Sequence, residues 1–145
     1  MTQSNESGER RGRIIVGVDG SEASVTALRH GIRMANALGA SLEAIATWHL
    51  LSSYSSGSEF GFTPQDDARS ILEGAVKSTF GADVPEWFTA TTMEGKADQI
   101  LIEQSRGAEM LVVGSRGHGG LSGLLLGSVS ALCAERAHCP VLIIH

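Results

Sequence analysis

The segment from residue 114 to residue 130 has the composition and spacing best suited to chemistry in this sequence. It runs GSRGHGGLSGLLLGSVS and lies between an apolar segment typical of a buried strand and a segment typical of a helix. Backbone amides in such a turn can converge on phosphate oxygens, and the dipole at a helix start favours the same negative charge. Glycine lets the main chain approach a ligand because it has no Cβ atom. The segment therefore predicts a phosphate-binding loop, with Ser128 and Ser130 as hydroxyl donors.

Two common phosphate-binding motifs do not fit this chain. A Walker loop ends in Gly-Lys-Ser/Thr, and the segment contains no lysine. The dinucleotide-binding fingerprint follows a first strand, where this chain has Gly17, Val18, Asp19 and Gly20 and lacks the glycine triplet. The loop is thus expected to bind phosphate in a different way.

An alternation of strands and helices must position this loop. Ser21 is the expected N-cap of the first helix, and Gly39 is its expected C-cap. Short apolar strands separated by helices predict a doubly wound α/β domain, with a parallel sheet and helices on both faces. The predicted strands span residues 13–18, 41–47, 87–93, 109–113 and 140–144; the later helices span 65–80, 96–105 and 128–137, and a long loop covers 48–64.

Composition narrows the class of protein. The chain has 145 residues and a net charge of −5, which fits one domain and disfavours non-specific binding of nucleic acid. The polar first dozen residues contain no apolar signal region, and no segment is long and apolar enough for a membrane span. We therefore expect a disordered tail over 1–12, a domain over 13–145 and a cytoplasmic location without membrane or nucleic-acid partners. Cys133 and Cys139 match no metal-binding spacing and are expected to be small buried hydrophobes.

The pattern Gly114-x2-Gly117-x9-Gly127-Ser128 resembles the nucleotide loop of the ATP-binding, single-domain universal stress proteins. Three blocks in the same order are also similar to this family: residues 14–21, with the opening strand and its aspartate turn, residues 111–117, with the fourth strand, and residues 139–143, with the closing strand. The resemblance spans nearly the whole chain. It implies a Rossmann-like, five-stranded sheet in the order 3-2-1-4-5.

The resemblance also implies a role for each candidate site residue. Asp19 could alternatively cap the first helix, and Arg116 and His118 could be solvated loop residues. The residues expected to bind the ligand are Gly17, Val18 and Asp19 beside the adenosine; Thr47 at the adenine edge; Gly114, Arg116, Gly117 and His118 on one side of the phosphates; and Gly127, Ser128, Val129 and Ser130 at the helix start.

The leading hypothesis for function is an ATP-binding regulatory or stress-response module, with ADP or AMP as other ligands and Mg²⁺ accompanying the phosphates. The alternatives are a slow ATPase, a protein that binds a cyclic nucleotide, and a dimeric scaffold that binds none. We expect no catalytic residues and at most very slow ATP hydrolysis, because the sequence lacks a Walker lysine, a paired acid and base, and a nucleophile triad. The apolar closing strand, Val141, Leu142, Ile143 and Ile144, predicts a homodimer through that edge.

Overall fold

A computed structural model describes residues 10–50, 63–116 and 126–145 of the chain. Strands and helices alternate along these residues, as the sequence predicts. The elements are β1 Arg13–Gly17, α1 Glu22–Leu38, β2 Ser41–Trp48, α2 Pro64–Phe80, β3 Phe88–Glu94, α3 Ala97–Gln104, β4 Met110–Gly114, α4 Ser128–Arg136 and β5 Val141–Ile144.

The strands form one parallel sheet in the order β3-β2-β1-β4-β5, which confirms the predicted topology. Strand β1 is central, and its Val16 is in register with Ala44 of β2 and Val112 of β4. The chain leaves β1 toward β2 and β3, and later returns to the other side of β1 through β4. Between β1 and β4 the sheet therefore has a topological switch point, where open α/β sheets bind ligands beyond the carboxyl ends of their strands.

The helices form one layer on each face of the sheet. Helices α1 and α2 cover the face that carries Ile14, Val16 and Leu42. Helices α3 and α4 cover the opposite face, where Leu101 and Cys133 pack with strand residues such as Ile15. Successive residues of a buried parallel strand point to opposite layers, so each strand must be apolar on both faces, which explains the continuous apolar strands of the sequence.

The capping of the helices differs between the two layers. Ser21 caps α1 by accepting from the amide of Ser24, and Gly39 ends it with a φ of 67°, so both predicted caps are confirmed. Helix α2 begins at Pro64, one residue before its predicted start, because Thr63 and Asp66 form a capping box. Helices α3 and α4 have no hydrogen bond from a capping side chain among the described residues.

Other element bounds differ from the prediction by one residue. Strand β1 ends at Gly17, although the amide of Val18 still donates to the carbonyl of Ile45 at 2.9 Å. Strand β2 continues one residue beyond the predicted 47, to Trp48. Strand β3 begins at Phe88 rather than at 87, and the carbonyl of Trp87 accepts from the amide of Leu42 at 2.9 Å.

The residues just before β1 contact the domain. The Arg10 guanidinium donates to the carbonyls of Ala35 and Ala40 at 3.0 and 3.1 Å and lies 4.2 Å above the ring of Trp87. The boundary between tail and domain at residue 13 stays a prediction. None of the helices in the described parts of the chain is long and apolar enough to cross a bilayer.

Candidate functional site

A cavity of about 410 Å³ opens at the carboxyl ends of β1, β2 and β4, at the topological switch point. This volume lies within the usual range for small-molecule sites. Ten of the twelve predicted site residues line the cavity: Gly17, Val18, Asp19, Thr47, Gly114, Arg116, Gly127, Ser128, Val129 and Ser130. The other two, Gly117 and His118, lie outside the described residues.

Six lining residues were not predicted from the sequence. Ile45 lies two residues before Thr47 on the same face of β2, a periodicity that could have identified it. Leu101 and Val113 are almost fully buried and cannot be distinguished in the sequence from ordinary core residues. The six are Ser24, Ile45, Ala97, Leu101, Val113 and Leu126.

The cavity has one apolar wall. Ile45, Leu101 and Val113 form it, and these side chains are 1%, 3% and 4% exposed. The wall belongs to the core between the sheet and helices α3 and α4. A flat apolar group such as a purine ring could bury its faces against it.

Hydrogen bonds to Ser21 and Ser24 hold Asp19 in place. Its Oδ1 accepts from the amide of Ser21 at 3.0 Å and from the Ser21 hydroxyl at 2.6 Å. The Asp19 amide donates to the hydroxyl of Ser24 at 3.2 Å, and that hydroxyl donates to the Ser21 carbonyl at 3.0 Å. Asp19 therefore fixes the turn that leads into α1, and at the same time it lines the cavity. The helix cap itself is Ser21.

The two ends of the glycine-rich segment are joined at Ser115. The carbonyl of Ser115 accepts from the amide of Gly127 at 2.7 Å and from the hydroxyl of Ser130 at 2.9 Å. The Ser115 amide donates to the carbonyl of Ile144 at 2.7 Å. The start of α4 is thereby attached to the sheet beside the cavity.

The amino terminus of α4 is arranged to receive an anion. Gly127 is its N-cap and has no side chain that could accept from the first amides of the helix. Ser128, Val129 and Ser130 are the first helical residues, and all three line the cavity. The amides of a first helical turn have no partner within the helix, and the helix dipole makes this end positive. The geometry can therefore bind phosphate without a lysine.

Glycine at two lining positions permits close packing. A Cβ atom at Gly114 would lie 2.9 Å from Cβ and 3.0 Å from the carbonyl carbon of Ala23, in the first turn of α1. A Cβ atom at Gly17 would lie 2.7 Å from Cδ1 of Leu101, a side chain of the cavity wall. Real Cβ atoms are almost never found so close to other heavy atoms. Gly114 therefore sets how closely α1 approaches the end of β4, whereas the end of the Leu101 side chain can move away from a Cβ atom at Gly17.

The two cysteines are free thiols with a raised pKa. Burial raises the pKa of the Cys133 thiol to about 11, and burial also raises the pKa of Cys139. Cys133 is a fully buried free thiol in the core under α3 and α4, as predicted, whereas Cys139 is a free thiol only partly buried against that core, so the prediction of a buried residue is wrong there. The raised pKa keeps both thiols neutral near pH 7. In residues 10–50, 63–116 and 126–145, no three His, Cys, Asp or Glu side chains are grouped to hold a metal ion.

A second, more open groove of about 670 Å³ lies between α2 and β3. It is larger, but its lining includes none of the predicted site residues and no helix amino terminus. Its charged residues, Arg69, Glu73 and Lys77, all come from the exposed part of α2. The cavity at the switch point is therefore the better candidate for a ligand site.

Comparison with known sequences identifies one family. The model of the universal stress protein family matches residues 10–145. A universal stress protein of Mycobacterium tuberculosis is 34% identical over 135 residues, which cover 90% of this chain and 47% of that protein. One of Mycolicibacterium smegmatis is 28% identical over 136 residues, with 90% and 45% covered. The chain thus spans about half the length of these curated relatives.

Solved structures show the same architecture. A universal stress protein crystallised in complex with cAMP has a TM-score of 0.70 and 28% identity, with 92% of this chain and 97% of that chain covered. The universal stress protein from Archaeoglobus fulgidus in complex with dAMP has a TM-score of 0.66 and 20% identity, with 93% and 98% covered. At 20% identity the second likeness concerns the fold alone.

Proposed function

The chain belongs to the universal stress protein family, and from that membership we propose that its cavity binds an adenine nucleotide, with ATP preferred. The observation that carries the proposal is the cavity itself. An apolar wall and an uncapped helix amino terminus open into one space at the carboxyl ends of the strands. These features match the apolar base and the anionic phosphates of a nucleotide.

The orientation of the nucleotide follows from the two ends of the cavity. The adenosine lies near Gly17, Asp19 and Thr47, against the wall that includes Ile45 and Leu101. The phosphates lie at the start of α4, where backbone amides and the helix dipole favour negative charge. A local site of this kind is required because the chain as a whole has a net charge of −5, which repels polyanions.

The relative crystallised with cAMP supports the adenosine half of the proposal. ATP, ADP, AMP and cAMP share adenosine and differ in their phosphates. Mg²⁺ usually binds through the phosphates of its nucleotide and one or two carboxylates. We propose that it enters with the phosphates of ATP, in a cavity that Asp19 lines. We propose ATP as the preferred ligand because several phosphate oxygens can use the amides of α4 together.

Calorimetric titration of the protein with ATP, ADP, AMP and cAMP tests the proposal. Asp19→Ala and Gly127→Ala should both weaken adenine-nucleotide binding while the domain stays folded. At Gly127 the φ is −68°, which alanine adopts readily, so the added methyl acts on the approaching phosphate and not through backbone strain. Undiminished affinity in both variants would refute the assignment of the site.

Asp19→Asn is the matched control for Asp19→Ala. It keeps an oxygen that can accept from Ser21 and removes only the negative charge. Equal losses of affinity in the two variants would assign the loss to the charge, whereas a loss confined to Asp19→Ala would assign it to the turn. Melting curves recorded beside the titrations separate loss of binding from loss of folding.

The wider role is part of the same proposal. We infer a regulatory or stress-response module that senses or sequesters ATP and acts as a homodimer. Strand β5 is an edge strand, paired on one side with β4, and Val141, Leu142 and Ile143 are only half-buried. An apolar edge strand is suited to pairing with a second chain. A cytoplasmic location stays a prediction.

A further inference from the structure

The hydroxyl of Ser130 forms its hydrogen bonds within the protein. The residue is 3% exposed, and its hydroxyl oxygen lies 2.9 Å from the carbonyl of Ser115 and 3.1 Å from the carbonyl of Gly127. A serine hydroxyl has one proton to donate, and both neighbouring oxygens are acceptors only. A donation to phosphate would therefore leave a buried carbonyl with one hydrogen bond fewer.

The carbonyl of Ser115 is a fixed point in this part of the molecule. Its own residue is 6% exposed, and its amide is bound to Ile144 of β5 at 2.7 Å. The Gly127 amide donates to the same carbonyl, also at 2.7 Å. The Gly127 amide and the Ser130 hydroxyl, both at the start of α4, thus donate to one carbonyl. That carbonyl belongs to Ser115, the residue directly after β4.

From these contacts we propose that Ser130 is a positioning residue whose hydroxyl fastens the first turn of α4 to Ser115. The inference rests on the proposed nucleotide site. Its consequence is that phosphate is bound by the backbone amides of residues 128–130, with the exposed Ser128 as the hydroxyl that can reach it. Amides held in place before the ligand arrives bind it at a lower cost in entropy.

The binding experiment compares Ser130→Ala and Ser130→Thr with the unchanged protein, using ATP and adenosine as ligands. Ser130→Ala should weaken ATP binding roughly threefold to tenfold, the effect of about one hydrogen bond, and leave adenosine binding unchanged. Ser130→Thr retains a hydroxyl and should restore ATP binding. Equal losses for ATP and adenosine, or none for ATP, would overturn the proposal.

Ser105→Ala is the matched control. Ser105 is also a fully buried serine, and its hydroxyl donates to the carbonyl of Ile102 at 2.6 Å and accepts from the amide of His138 at 2.8 Å. It does not line the cavity. Its replacement should lower stability and leave ATP affinity unchanged, which separates a general loss of packing from the local effect.

Hydrogen exchange of the Gly127 amide, measured by NMR without nucleotide, distinguishes a positioning role from a direct phosphate contact. Ser130→Ala should speed this exchange several-fold, because the second bond to Ser115 is lost, and Ser130→Thr should restore it. Unchanged exchange together with weaker ATP binding would make Ser130 a direct ligand and refute the proposal. Failure of the unchanged protein to bind any nucleotide would refute the proposed function, while the exchange result would still decide the role of Ser130.

Discussion

Replacement of Gly114 by alanine tests how closely α1 must approach the end of β4. The new Cβ atom would lie 2.9 Å from Cβ of Ala23 and 3.0 Å from its carbonyl carbon and oxygen. Favourable contacts between carbon atoms begin near 3.5 Å. The first turn of α1 must therefore move by about half an ångström, because two of the three opposing atoms are backbone and cannot rotate away.

Overpacking of this kind costs roughly 1–3 kcal/mol in the free energy of unfolding. For a chain of this length, a loss of about 2 kcal/mol lowers the melting temperature by about 5–8 °C. The same displacement moves Ser24, which lines the cavity and binds the amide of Asp19. We therefore expect ATP affinity to fall as well, by roughly threefold to tenfold, since sub-ångström misplacement already affects binding.

Thermal melting and calorimetric titration measure the two effects, and Gly74→Ala is the matched control. Gly74 lies on the exposed side of α2, and a Cβ atom there meets nothing within 4 Å. Alanine at this helical position should stabilise the fold by roughly 0.5–1 kcal/mol and leave ATP binding unchanged. A melting temperature for Gly114→Ala at or above that of the unchanged protein would refute the packing argument.

Three further predictions concern turnover, assembly and pH. Phosphate release under saturating ATP and Mg²⁺ should stay far below about 1 s⁻¹, the lower end of the usual enzyme range, and a rate at or above that value would make the protein an ATPase. Light scattering at micromolar concentration should report a dimer, and a monomer alone would refute the predicted homodimer. The backbone amide and then the hydroxyl of Thr63 lower the pKa of Asp66 below its ordinary 3.8, so the capping contribution is present above pH 4 and is lost as the pH falls through the lowered value. Melting curves from pH 6 to pH 2 should show a smaller acid-dependent loss in Asp66→Asn, and identical pH dependence would contradict this.

The fold could be predicted from local patterns. Apolar strands, the serine cap at Ser21 and the glycine at Gly39 each depend on residues within a few positions of one another, and the structure confirms them. Helix α2 begins at Pro64, one residue before its predicted start, and Pro64 falls in the loop predicted over 48–64. Proline favours the first helical position, and the aspartate at 66 completes a capping box, so the signal was present.

The site could be predicted less completely, because several of its features depend on distant contacts. Leu101 and Val113 have the same apolar pattern as core residues, and only the packing of α3 against β1 and β2 brings them together at the cavity. The sequence predicts that the hydroxyl of Ser130 donates to phosphate, yet it donates to the carbonyl of Ser115, fifteen positions away in the chain. Residue type predicted a hydrogen-bond donor at 130, and three-dimensional structure was required to identify the acceptor.

The capping of the four described helices has a consequence for stability in the cell. Side chains of the protein, Ser21 and Thr63, cap helices α1 and α2. The first turns of these two helices therefore need no ligand to satisfy their amides. Helices α3 and α4 begin at the cavity without such caps. The proposed nucleotide would supply at α4 the acceptors that the chain omits. Ligand binding stabilises a folded state in proportion to the logarithm of ligand concentration. Local opening of the first turn of α4 would therefore become rarer as the nucleotide supply rises, whereas the side-chain caps of α1 and α2 do not depend on it.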